Sequence, residues 1–355
     1  MRSRTTRAAW MIVGAASLAA LAPACGSSDD GGSSDSGGGD SADASGEVIV
    51  SGSSTVEPIS TAVAEAFAEV SPDVVVTVDG PGTGDGFELF CAGDTDISDA
   101  SRPIKEEEIA VCEENGIEFI ELKVAFDGIT VMTNPANDAV ECLNFDDLYA
   151  LMGPESEGVD TWNAAQALAT ELGSSTTFPD ASLDLVGPGT ESGTYDSFIE
   201  IALDPVAEVR AEEGAITEDQ VGTMRKDYSS QADDNAIITQ IEGSDTSLGW
   251  VGFAFAEEAG DGVKELQIAA EADGECVAPS AETIADGTYP ISRPLFIYVS
   301  KTAAEENAAV KAYVDFYMGE GISAVEEVGY VALPSDQFAA TTEAWTSMTT
   351  GTREG

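Results

Sequence analysis

Short β-branched runs alternate along the chain with segments whose apolar positions recur every three or four residues, the pattern of strands interleaved with helices. Val48 to Val50 is one such run and ends in the polar turn Ser51-Gly52-Ser53-Ser54-Thr55. From Pro58 the period changes, and Ile59, Ala62, Val63, Ala66, Phe67 and Val70 fall on one face of a predicted helix. Pro58 near its start and Pro72 just past its end bracket it. Val74 to Val78 predicts a second strand, which runs into the glycine-rich turn Asp79 to Gly86 and a helix carrying Phe87 and Phe90. Leu183 to Val186 repeats the arrangement: a strand, the turn Gly187 to Thr194, then a helix with Tyr195, Phe198, Ile199 and Ile201. Leu248 to Phe255 and Leu295 to Val299 predict further strands, and Ala303 to Met318 a single amphipathic helix. No repeat of solenoid length is visible, and the alternation predicts an α/β fold.

Composition narrows what such a fold can do. The 355 residues include 66 acidic and 14 basic side chains, a formal net charge of −52. That surface repels nucleic acid and anionic lipid, so no nucleic-acid partner is expected. The acidity itself reads as a solvated surface suited to a salty medium. Histidine is absent, which removes Ser-His-Asp and Cys-His hydrolases and His-ligated zinc. No Walker A motif occurs. The chain is therefore read as a non-enzyme with no catalytic residue, metal or cofactor. A carboxylate-pair enzyme or an acidic metal site is the enzymatic alternative.

The N-terminus reads as an export signal over residues 1–24, with Arg2, Arg4 and Arg7 preceding an apolar stretch from Ala8 to Leu21. Leu21-Ala22-Pro23-Ala24-Cys25 resembles a bacterial lipobox, although its leucine stands four residues before the cysteine where three is the rule. Cys25 is accordingly the candidate lipidation site, with ordinary signal-peptidase cleavage as the alternative. Residues 25–47, rich in Gly, Ser and Asp, predict a flexible tether. An exported chain is expected to pair Cys91, Cys112, Cys142 and Cys276, for which three connectivities exist.

The chemistry concentrates in three strand–turn–helix segments. The first N–H groups of a helix are unpaired and carry partial positive charge, and glycine lets a ligand approach them closely. Turns of this kind seat phosphate or sulfate. Each alone is also an ordinary helix cap. Arg102, in Asp96-Ile97-Ser98-Asp99-Ala100-Ser101-Arg102-Pro103-Ile104, offers a planar fork suited to an oxyanion. Its alternative is an ion pair with Asp99 or another nearby carboxylate. Arg293, in Ser292-Arg293-Pro294, is read as a residue where the chain returns between lobes.

Taken in order, Gly52 to Pro58, Gly82 to Phe87, Asp96 to Ile104, Gly187 to Thr194, Ser247 to Phe255 and Tyr289 to Leu295 resemble the successive motifs of PstS-type phosphate-binding proteins. The likeness runs from about Val48 to beyond Leu333. It implies a two-lobed periplasmic-binding-protein-like fold, each lobe a mixed β-sheet flanked by helices, with two hinge crossings. Residues 48–126 with 294–355 would form one lobe and 127–293 the other, crossing near Val124 to Ile129 and Ser292 to Phe296. Those boundaries favour the disulfides Cys91–Cys112 and Cys142–Cys276, each within one lobe.

The resemblance further implies a monomer at the outer face of the cell membrane or in the periplasm. It would hand inorganic phosphate to the permease and ATPase of an ABC importer, by hinge closure around the anion. Carried over residue by residue, the phosphate donors would be Ser54, Thr55, Val56, Thr83, Ser101, Arg102, Ser192, Gly193 and Thr194. Pro188 stands where some members carry an arginine, so Arg102 would supply the positive charge. Asp85 replaces a common glycine and is the candidate acceptor of the ligand's proton, with Glu191 and Ser98 as weaker candidates. Sulfate, molybdate or a small phosphorylated ligand are alternative cargoes, and a carboxylate- and metal-dependent phosphatase is a remote alternative.

Overall fold

The computed structural model describes residues 44–353. The export signal, Cys25 and most of the tether lie outside them. The chain enters a strand at Gly46, inside the stretch read as tether. β1 (Gly46–Gly52), β2 (Val74–Asp79) and β3 (Ile97–Ala100) are separated by helices α1 (Glu57–Val70) and α2 (Thr83–Ala92). Helix α3 (Glu106–Asn115) leads into β4 (Phe119–Thr133), a strand of 15 residues. β5 (Cys142–Asn144), β6 (Asp184–Pro188), β7 (Ser229–Gln231) and β8 (Ser247–Gly252) follow. Then come β9 (Lys264–Glu265), β10 (Gln267–Ala269), β11 (Ser292–Ser300) and β12 (Val331–Ala332).

Ten of these strands form one sheet with the path β2-β1-β3-β11-β4-β8-β6-β7, and β9 and β12 both join β4. β4 changes partner along its length. Its first part pairs antiparallel with β11, down to Gly128 opposite Ser292, and from Ile129 it pairs with β8. β4 and β11 thus pass between two apolar cores. One gathers residues such as Val50, Ile59, Leu122, Ile297 and Tyr313; the other gathers Ile129, Leu148, Trp250, Phe198 and Ile291. The mixed α/β fold read from the pattern is what the chain adopts.

Two element boundaries, and the buried face of one helix, differ from the sequence pattern. The run Leu248 to Phe255 ends as a strand at Gly252, and Phe253–Ala259 is helical. Its ladder partner explains this: Gly252 lies opposite Ile129, beside the point where β4 passes over to β11. The expected helix Ala303 to Met318 breaks at Asn307, whose φ of −108° and ψ of 104° interrupt the turn. Its Oδ1 accepts from the Ala309 N–H at 3.0 Å and caps the second helix, while its Nδ2 donates to the Glu47 carbonyl at 3.0 Å. Helix α1 buries Ile59, Val63 and Phe67, the last against Tyr313 and Phe316. Ala66 faces solvent and Val70, in the final turn, is 48% exposed, so the buried stripe is narrower than its apolar residues suggest.

The cysteines pair as Cys91–Cys112, joining α2 to α3, and as Cys142–Cys276, joining β5 to the segment after β10. Among the described residues no helix is long and apolar enough to cross a membrane.

Candidate anion-binding cleft

β1 must approach β3 closely to deliver its turn. Gly52, at φ 151°, permits this, since a Cβ there would stand 2.1 Å from the Asp99 carbonyl oxygen. The chain then reverses: the Ser53 N–H donates to that carbonyl at 2.9 Å, and the Ser53 carbonyl accepts from Val56 and Glu57 as α1 opens. Ser54 and Thr55 are left at the head of α1. At the head of α2, the Thr83 hydroxyl lies 3.0 Å from the Ser101 hydroxyl and accepts from the Ser101 N–H at 3.2 Å. Ser54, Thr55, Thr83 and Ser101 share a cavity of about 260 Å³. Its other wall carries Asp196, Glu200 and Asp204. A second space of about 550 Å³ continues it, sharing Thr83, Ser101, Glu200 and Asp204 and adding Asp85, Arg102, Glu208 and Arg293.

The two arginines of the cleft have different partners. Arg102 grips Glu108 through both carboxylate oxygens, at 2.7 and 2.9 Å, and its guanidinium lies 5.5 Å from the Phe87 ring centre. Burial pushes the Glu108 carboxyl up, but hydrogen bonds from Arg102 and the Lys105 N–H outweigh it and hold the group below its usual range. Arg293 reaches across to the second wall. Its Nη2 donates to the Thr55 hydroxyl at 2.9 Å and the Ser197 hydroxyl at 2.6 Å, Nη1 pairs with Glu200, and Nε lies 3.6 Å from Asp127. Burial raises the pKa of Asp127, with Arg293 pulling the other way. The Ser54 hydroxyl donates to Asp196 at 3.1 Å, and burial raises the pKa of Asp196.

The donor set read from the sequence does not all face this space. Ser54, Thr55, Thr83, Ser101 and Arg102 come together. The Val56 side chain is fully buried in the core, and its N–H is held by Ser53 at 3.1 Å. Ser192, Gly193 and Thr194 line an adjoining cavity of about 290 Å³ with Asp127 and Asp234. Gly193 backs directly onto the first turn: a Cβ on it would stand 3.0 Å from the Ser54 carbonyl oxygen. Asp85 is exposed at the rim, Glu191 borders the adjoining cavity, and Ser98 is fully buried. Asp99 is buried too, accepting the Ser60 hydroxyl at 3.0 Å, so Arg102 pairs with Glu108 rather than with it.

Residues 38–320 match the model of the PBP superfamily domain. A phosphate-binding protein PstS from Staphylococcus haemolyticus is 34% identical over 331 residues, spanning 93% of this chain and 94% of that protein. The chain belongs to the family of PstS phosphate-binding proteins. Protein SphX from Synechococcus elongatus is 38% identical over 307 residues, 86% of this chain and 83% of the relative. The crystal structure of a possible phosphate binding protein from Planctomyces limnophilus superposes with a TM-score of 0.76 at 34% identity, covering 86% of this chain and 99% of that one.

Within this family frame, two features of the cleft were missed by sequence reasoning. The sequence pattern places Arg293 at a chain crossing only, yet its Ser-Arg-Pro context duplicates Ser101-Arg102-Pro103, a readable signal. The carboxylates Asp196, Glu200, Asp204 and Glu208 recur every four residues, which puts them on one side of a helical run. That run includes a π-helical turn at Ile199–Leu203, a distortion common at functional sites.

Proposed function

We propose that the protein is an extracytoplasmic receptor for inorganic phosphate, serving the permease and ATPase of an ABC importer and carrying out no chemistry on its cargo. The observation that carries this is the convergence of Ser54, Thr55, Thr83, Ser101 and Arg102 on one wall of the cleft. Hydroxyl, amide and guanidinium donors there can surround a tetrahedral oxyanion with charge-assisted hydrogen bonds. Family membership supports the same cargo and the same transport role.

The lobes are residues 48–126 with 294–355, and 127–293, and they close by rotation about β4 and β11. Closure of that kind would bring Ser192, Gly193 and Thr194 from the adjoining turn toward the anion. Arg293 joins the donor set, since its guanidinium already spans Thr55 and Ser197. Carboxylates on the opposite wall favour a ligand that carries a proton, and so disfavour fully ionised sulfate. Asp196 accepts from the donor Ser54 directly, whereas Asp85 is exposed at the rim. Lipidation of Cys25 would hold the receptor at the outer face of the membrane on its tether, as a monomer.

Calorimetric titration of the phosphate-stripped mature protein with phosphate, arsenate and sulfate tests the reading. Phosphate is expected to bind with sulfate at least a hundredfold weaker, and Arg102→Ala to weaken phosphate at least tenfold. A protein that ignores phosphate, or prefers sulfate, removes the proposal; an unchanged Arg102→Ala affinity removes Arg102 from the site.

A further inference from the structure

We infer a second ligand site in the half built around β1 to β3, a groove that takes a small organic carboxylate with an apolar body. It rests on different residues from the phosphate cleft and does not depend on that reading. β4 and β11 run antiparallel with Lys123 opposite Phe296, and helix Ser335–Thr346 and residues Thr352 and Arg353 lie alongside. Between them is a space of about 380 Å³, within the range of small-molecule pockets. Phe296, Pro103, Pro294 and Ala340 supply its apolar walls.

Several of its donors lack acceptors among the described residues. Lys123 has no carboxylate within ion-pair distance among the described residues; its ammonium reaches only Gln337 at 3.4 Å and the Phe126 ring at 5.3 Å. Burial pushes the Lys123 pKa down, which reflects a partly dehydrated charge. Arg353 donates from Nη2 to the Ala340 carbonyl at 2.9 Å, while its Nη1 is buried with no partner among the described residues. Thr341 is 4% exposed, and its Oγ1 is likewise buried and unpartnered. Glu121, the one acid lining the groove among the described residues, is already engaged by the Tyr298 hydroxyl at 2.8 Å and the Arg353 backbone N–H at 3.0 Å. Buried donors of this kind are normally satisfied. In a chain of 66 acidic and 14 basic residues, two cations with no ion-pair partner among the described residues, beside apolar walls, call for an anion that brings its own hydrocarbon.

The full mature chain would be titrated with 4-phenylbutyrate by saturation-transfer NMR, with 4-phenylbutylamine as the opposite-charge control. Saturable carboxylate binding at millimolar concentration, at least tenfold stronger than the amine, is expected. Arg353→Gln and Lys123→Gln should each weaken it about fivefold or more. Phosphate affinity should be unchanged in both variants. No saturable binding, equal binding of acid and amine, or indifference to both substitutions would overturn the site. So would binding that appears only when Glu354 and Gly355 are removed, because the groove would then belong to the chain's own end.

Discussion

Asp99 is a residue whose surroundings tie the molecule's stability to pH. It sits fully buried beneath α1, with one oxygen held by the Ser60 hydroxyl at 3.0 Å and the other without a partner among the described residues. Burial pushes its carboxyl from 3.8 up to about 7, the Ser60 hydrogen bond opposing and the charge of Glu57 adding to the rise. An acid whose folded pKa lies above its unfolded value holds a proton that the unfolded chain releases. Its contribution is therefore full below about pH 4 and is lost as pH climbs through about 7. Asparagine keeps the acceptor for Ser60 and removes the titration. Relative to the parent, Asp99→Asn should gain about 2–3 kcal/mol of stability between about pH 5 and pH 8, at roughly 1.4 kcal/mol per pKa unit. Guanidinium unfolding at the two pH values reads this, and a pH-independent difference would show that Asp99 does not titrate in that window.

At the scale of elements, the carboxylate stripe from Asp196 to Glu208 faces a wall of donors, and Glu200 neutralises the arginine that reaches across. Glu200→Gln should free Arg293 for an anion and soften repulsion. Phosphate should then bind several-fold tighter and sulfate should gain more, as read by competition calorimetry; weaker binding of both would mean that the pair serves to hold Arg293 in position. The stripe was legible as a four-residue period, but its direction was not, because period alone does not say which face a helix turns to a cleft. Strand–turn–helix units were legible because each combined a change of period with glycine. Asn307 shows what was not: the apolar pattern from Ala303 to Met318 runs through the break, and only a tertiary hydrogen bond to Glu47 distinguishes a capped second helix from a continuous one. Similarly, Ser192 to Thr194 announced an anion-type turn, yet which cavity the turn lines depends on how the two halves meet at Gly193.

For the whole molecule, the dominant quantity is a net charge of −52 on a protein that must meet an anion. Near physiological salt the screening length is about 8 Å, whereas at 0.01 M it is about 30 Å, long enough for most of the surface to act on an approaching phosphate. The donors inside the cleft act only at hydrogen-bond range, so they set how long the anion stays more than how fast it arrives. Raising salt should therefore speed association several-fold, opposite to the trend for electrostatically steered partners. Dissociation should change little. Trp250 offers the probe: its ring stacks on Phe198 at 4.8 Å, in the helix that opens at Ser192. Stopped-flow tryptophan fluorescence across that salt range reads the rate directly. An association rate that falls with salt would mean that Arg102 and Arg293 create a positive mouth strong enough to override the negative body, in spite of their pairing with Glu108 and Glu200.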